Sequence, residues 1–367
     1  MILKNGTVLT DDAVFRKTDL RIENGIIASL GETMEEGVDL CGAYVVPGFI
    51  DIHTHGCVGY DHLDGCAEAS EEMCRYYAKC GTTSVLATIM TEEPGRMLRA
   101  AENAAHFKTE NGAKISGIYL EGPFFSDAYR GAQNSNYLRD PDPAFLSEID
   151  AASDHTLRIV SLAPERKGAL DMIERGGFSF FLGHTGADYE TASEAYHRGA
   201  KGLTHTFNAM TPFHHRAPGV IGAALESASF TECITDGLHV HPSAVRMLFA
   251  SVGRERFVSI TDSIRPAGLP DGTYESGSQA VTLSGGLARL SDGTIAGSVS
   301  TMANGVKNMV KFGIPLEDAV YVSTATPARA AGIFDKTGSI TIGKSADLVV
   351  LNDDLTVQSV WIGGKKI

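Results

Sequence analysis

The chain has 367 residues, 43% of them hydrophobic and 21% charged, with a formal net charge of −14. That describes an ordinary soluble globular protein, long enough for one large domain and a smaller one. The acidic balance argues against a nucleic-acid partner, which calls for a basic footprint, while leaving room for a local basic pocket.

The first 45 residues read as short strands separated by Asn5-Gly6 and Asn24-Gly25 turns. The stretch Met1–Val8 has no signal-peptide core and no transit character, which predicts a cytoplasmic protein. No apolar run is long enough to cross a bilayer, so no membrane role is expected. From about residue 46 the text alternates. Apolar runs at 47–53, 82–88, 115–121, 157–163, 178–183, 201–205, 231–235 and 257–261 are separated mostly by Ala- and Glu-rich helical stretches. Eight β/α alternations predict an α/β fold, a (β/α)8 TIM barrel, over 46–334. A β-hairpin insertion is predicted near 270–297, and a closing helix over 315–332, with Thr326-Pro327 opening a further turn. Residues 335–367 turn β-rich again, so residues 1–45 plus 335–367 are expected to form one small β-sandwich domain built from both termini. The six cysteines, Cys41, Cys57, Cys66, Cys74, Cys80 and Cys233, form no Cys-x-x-Cys pair and read as reduced thiols. Cys57 reads as loop or core filler.

Catalytic groups of a barrel stand at the C-terminal ends of its strands. The first predicted strand runs into His53 and His55, two imidazoles on one face at i, i+2. The third ends in Glu121, the fifth in His184, the sixth in His205 and the eighth in Asp262. One such residue alone is equally a helix cap or a satisfied core histidine. Five strand ends agreeing in chemistry point to a divalent metal, because imidazole with carboxylate suits Zn²⁺, Fe²⁺, Co²⁺ or Mn²⁺. The reaction class expected is metal-assisted hydrolysis of a C–N or related bond, with Asp262 moving the proton.

Pro47-Gly48-Phe49-Ile50-Asp51-Ile52-His53-Thr54-His55, the interior histidines, Thr261-Asp262 and the tail Gly343-Lys344-Ser345-Ala346-Asp347-Leu348 resemble the amidohydrolase superfamily. Glu121-Gly122-Pro123-Phe124 and Thr204-His205-Thr206-Phe207-Asn208-Ala209-Met210 are more specific, and resemble the N-acetylglucosamine-6-phosphate deacetylases within it. The resemblance implies hydrolysis of the acetamide of N-acetylglucosamine 6-phosphate to glucosamine 6-phosphate and acetate. It implies that Glu121, His184 and His205 hold the main metal, Zn²⁺ first among the candidates. With His53 and His55 both present, a second ion bridged by Glu121 makes one or two per chain. Asp262 would be general base and then acid, Asn208 and the backbone at Ala209 would meet the sugar phosphate, and His239 would touch the substrate. Arg216 would reach the neighbouring active site of a homodimer. Many members carry a histidine where this chain has Gln133, which either stabilises the oxyanion or only binds the sugar. The galactosamine epimer, another amidohydrolase substrate, and a non-catalytic scaffold relative are the alternatives.

Overall fold

The computed structural model describes residues 1–277 and 279–367. Its centre is a sheet of eight parallel strands in sequential order: β1 (Phe49–Thr54), β2 (Thr82–Met90), β3 (Lys114–Glu121), β4 (Leu157–Leu162), β5 (Ser179–Leu182), β6 (Gly202–Leu203), β7 (Phe230–Ile234) and β8 (Phe257–Ile260). At least one helix follows each strand. The helix Pro94–His106 shows why: Glu93 caps it by accepting from Gly95 N and Arg96 N, Pro94 opens it, and Met97, Ala100, Ala101 and Ala104 bury one face. That face packs on Ile118 and Leu120 of β3. Tyr119, one residue out of phase, points inward, where its hydroxyl meets Thr204 Oγ1 at 2.9 Å. The period of two then turns Glu121 inward as well, at the mouth.

The barrel closes where the tail of β8 meets β1. Asp262 N donates to His53 O at 2.8 Å and His55 N to Ser263 O at 2.8 Å. Asp51 ties the same seam, accepting from Thr261 N and the Thr261 hydroxyl. The closure therefore sets Asp262 beside the histidine pair.

Both termini share a second, eight-stranded sheet. Leu348–Leu351 pairs antiparallel with Tyr44–Pro47, joining the C-terminal strands to the N-terminal ones. Leu348 and Val350 pack with Leu20, Ile27 and Trp361, while Val349 and Leu351 face Phe49, Ala78 and Met309 of the barrel. Lys114 of β3 crosses to Asp347, at 2.8 and 2.9 Å from its two oxygens.

Four details depart from the sequence reading. The insertion after β8 is a four-stranded antiparallel meander, Gly272–Ser276, Gln279–Ser284, Leu287–Arg289 and Ile295–Gly297, rather than one hairpin; position 278, within the predicted hairpin, lies outside the described residues. The closing helix is broken into Leu316–Tyr321 and Ala325–Ala330. Pro327 has no N–H for the carbonyl four residues back, so the first helix cannot run through, and Ser323 and Thr324 turn their hydroxyls back to Ala319 O and Val320 O. An amphipathic helix at Met302–Lys311, capped by Thr301, precedes both. β6 shrinks to two residues, because His205 after it already has a left-handed backbone.

Candidate metal centre

Glu121 ends β3 with its side chain 3% exposed, and four imidazoles converge on it. Its Oε1 lies 3.1 Å from His184 Nε2, 3.1 Å from His205 Nε2 and 3.4 Å from His53 Nε2. Its Oε2 lies 3.3 Å from His55 Nε2 and accepts from Gln133 Nε2 at 2.6 Å. Asp262 Oδ1 stands 3.2 Å from His55 Nε2 and 3.7 Å from His53 Nε2. Five of the six strand-end residues come from β1, β3, β5, β6 and β8 or the residues just after them, and His55 follows β1 directly.

Tautomers say what this cluster can hold. His184 Nδ1 donates to Tyr129 O at 3.0 Å, so its neutral ring turns the Nε2 lone pair toward Glu121. His53 Nδ1 donates to Glu232 at 3.0 Å, with the same result. The Nε2 atoms of His184 and His205 are themselves only 3.0 Å apart. The lone pairs of His184 and His53 thus face the Glu121 carboxylate oxygen at 3.1 and 3.4 Å, and such pairs repel unless a positive charge lies among them. Two triads, His53–His55–Glu121 and Glu121–His184–His205, each hold their donor atoms within 4.8 Å, all buried. The residues therefore fit a divalent cation in either triad, with Glu121 common to both.

The neighbouring charges shift these groups. Burial opposes charge on His53, but the carboxylates of Glu232 and Glu121 outweigh it and hold the imidazole pKa well above its ordinary value. Burial pushes the carboxyl of Glu121 up, and the His53 ring and the bonds from His184 and His205 reverse this, leaving it well below the usual range. Asp262 behaves alike: burial raises it, and the bond from His55 with the nearby rings brings it below its ordinary value. His184, His205 and Asp262 have φ of 46°, 26° and 50°. A left-handed backbone is uncommon for such residues, costs ~1–3 kcal/mol each, and clusters where function requires it.

The cluster opens into a cavity of about 500 Å³, within the range of small-molecule sites. His55, Glu121, Gln133, His184, His205, Asn208, Ala209, His239 and Asp262 line it. The meander contributes a wall through Gln279 and Asp292, and Gln279 Nε2 donates to Ala132 O at 2.6 Å. Gly131 approaches so closely that a Cβ would sit 3.3 Å from His184, and its φ of 56° also favours glycine.

Gln133 is engaged at both ends, donating to Glu121 and accepting from Thr91 N at 2.9 Å. Asn208 uses its amide hydrogens on His205 O and Thr206 O, at 3.2 and 3.3 Å. His239 Nδ1 binds Asp236 at 2.7 Å, leaving Nε2 as an acceptor on the cavity side. Arg216 is not brought to this chain's own cavity. It sits exposed in the loop after β6, with its guanidinium 2.8 Å from His215 Nε2. Cys57 packs with Met73 and Tyr77 in the core.

Sequence reasoning missed Glu232, Asp236 and Arg130. Glu232 had a signal: a carboxylate inside the apolar run of β7, where charged residues are almost never fully buried without a partner. Arg130 lines the cavity mouth next to the Gly131-Ala132-Gln133 segment.

Residues 44–367 match the amidohydrolase family model. The chain is 37% identical to the N-acetylglucosamine-6-phosphate deacetylase of Bacillus subtilis (strain 168), over 97% of this chain and 94% of the relative. It is 35% identical to the N-acetylgalactosamine-6-phosphate deacetylase of Escherichia coli O157:H7, over 99% and 98%. The crystal structure of N-acetyl-D-glucosamine-6-phosphate deacetylase from Mycobacterium smegmatis superposes with a TM-score of 0.94 at 34% identity, covering the whole of both chains. With barrel, converging donors and full-length similarity in agreement, the chain belongs to the amidohydrolase family, within its branch of N-acetylglucosamine-6-phosphate deacetylases.

Proposed function

We propose that this chain hydrolyses the acetamide of N-acetylglucosamine 6-phosphate, giving acetate and glucosamine 6-phosphate. The observation that carries the reading is Glu121 shared by two histidine pairs, with Asp262 beside it at the floor of a cavity of sugar-phosphate size. A bound divalent cation, Zn²⁺ first among the candidates and one or two per chain, would polarise water and the acyl oxygen. Asp262, 3.2 Å from His55 Nε2, takes the proton of the attacking water and then delivers it to the departing amine nitrogen. Water adds to the acyl carbon, the C–N bond breaks, and no other reactant is consumed. His239 accepts from a sugar hydroxyl through Nε2, its ring held by Asp236. Gln133, with one Nε2 hydrogen left after Glu121, contributes a neutral donor near the acyl oxygen. Asn208 and the backbone of Ala209 bound the phosphate end, where Asn208 must turn to donate. A homodimer in the cytoplasm, with Arg216 supplying a planar fork to the phosphate of the neighbouring site, completes the reading.

Acetate release should be measured from the 6-phosphates of N-acetylglucosamine, N-acetylgalactosamine and N-acetylmannosamine, and from unphosphorylated N-acetylglucosamine. The first should be best, chelation should abolish the activity, and a divalent cation should restore it. Equal rates with and without phosphate would remove the role of Arg216. The relative from Escherichia coli at 35% identity makes the galactosamine epimer the second reading, since one hydroxyl contact can decide between the two.

A further inference from the structure

The most deeply buried charge near the centre is neither a proposed ligand nor the proposed base. Glu232 lies in β7, 0% exposed. Its Oε2 accepts from His53 Nδ1 at 3.0 Å and from His205 N at 3.1 Å. It thus touches one member of each triad: the ring of His53 in His53–His55–Glu121, and the backbone of His205 in Glu121–His184–His205. Its Oε1 is buried and has no hydrogen-bond partner among the described residues. Burying a carboxylate with an unpaired oxygen is unfavourable on its own account, so packing does not explain it.

We infer that Glu232 is a positioning residue that governs occupancy of the His53–His55–Glu121 site. A carboxylate only accepts, so the proton of His53 is fixed on Nδ1 and the lone pair on Nε2. Nε2 is buried without a hydrogen-bond partner among the described residues, facing Glu121 Oε1 at 3.4 Å and Asp262 Oδ1 at 3.7 Å. Without that bond the ring is free to take the other tautomer, whose N–H would meet Glu121 and Asp262 and leave no donor atom for a cation. The bond to His205 is to the backbone and leaves that ring's tautomer unset, so the effect falls on the His53 site. The negative charge also makes His53 a stronger donor. The two-cation reading above is the premise.

The test reads metal binding rather than turnover. Metal-free protein is titrated with Zn²⁺ against a competing chelator, and with Co²⁺ followed by its visible absorption. Wild type should show two binding steps; a single equivalent would overturn the two-site premise and this role with it. Glu232→Gln keeps the shape and removes the charge, and should weaken one step ~10–100-fold, the usual effect of removing a ligand's supporting partner, with the other within threefold. His53→Ala should lose the same step, and adding Glu232→Gln to it should change nothing more. Two wild-type-like steps in Glu232→Gln, or a further loss in the His53→Ala background, would overturn the inference. If Glu232→Gln does not fold, Glu232→Asp, which withdraws the carboxylate by one methylene, decides alone: unchanged affinity for both steps overturns the inference, and selective weakening of one supports it.

Discussion

Replacing Gln133 by alanine removes two bonds at once, and their geometry sets the expected loss. The amide nitrogen donates to Glu121 Oε2 at 2.6 Å, and the amide oxygen accepts from Thr91 N at 2.9 Å, in a side chain whose residue is 5% exposed. A hydrogen bond to an ionised acceptor contributes ~1.5–3 kcal/mol. At about 1.4 kcal/mol per tenfold, losing it from the carboxylate common to both triads weakens cation binding roughly 10–100-fold. The buried Thr91 N–H loses its partner, at about 1–3 kcal/mol, which lowers Tm by several degrees. The assay is a competitive metal titration, followed by acetate-release kinetics at saturating metal and by calorimetry. With the metal site refilled, kcat should stay reduced, because the donor beside the acyl oxygen is gone. The sequence left Gln133 as either an oxyanion donor or a sugar contact; the structure adds a third duty, orienting Glu121. Unchanged metal affinity with only a raised KM would refute that reasoning and leave Gln133 as a sugar contact.

Asp262→Asn should lower kcat by ~10²–10⁴-fold with little change in KM, since an amide cannot take the water's proton; a loss confined to KM would count against its role as base. Lys114→Ala strands the carboxylate of Asp347, whose side chain is 1% exposed. Breaking a buried pair costs ~3–5 kcal/mol, but Lys114 is 41% exposed and Asp347 keeps the Gly363 N–H and the Thr337 hydroxyl, so about 1–2 kcal/mol is expected. Thermal unfolding should show this at unchanged kcat, and an unaltered Tm would dismiss the link between barrel and terminal sheet as a stabilising contact. Burial raises the Asp236 carboxyl, but the bonds from His239 outweigh it and bring its pKa below the ordinary value. A depressed folded pKa contributes stability that is present above the unfolded value, near 3.9, and lost as pH falls through the folded one. Asp236→Asn should therefore flatten the acid limb of a stability–pH profile below about pH 4, and an unchanged limb would contradict the pairing.

The strand and helix content was legible because it is local. The period of two in Ile118-Tyr119-Leu120-Glu121 and the capped amphipathic pattern over 93–104 need no partner to be read. Eight alternations then leave a barrel as the way to bury strands that are apolar on both faces. The strand-end chemistry of His53, His55, Glu121, His184, His205 and Asp262 was legible for the same reason, since a barrel collects strand ends at one rim. Glu232 was passed over because its partner His53 lies 179 residues away across the barrel, and a charge inside a strand acquires meaning only from what faces it. The duplicated duty of Gln133 was equally hidden: its two bonds go to β3 and to the segment after β2, which meet only in three dimensions. Sequence by itself determined the eight barrel strands, the barrel and the kinds of donor at its rim, because these follow from periodicity along one segment. Only the tertiary structure decided which nitrogen of His53 and of His184 turns its lone pair to Glu121, because there the tautomer is fixed by the second hydrogen bond of the ring, and the chain brings those partners, Glu232 and the Tyr129 carbonyl, from elsewhere.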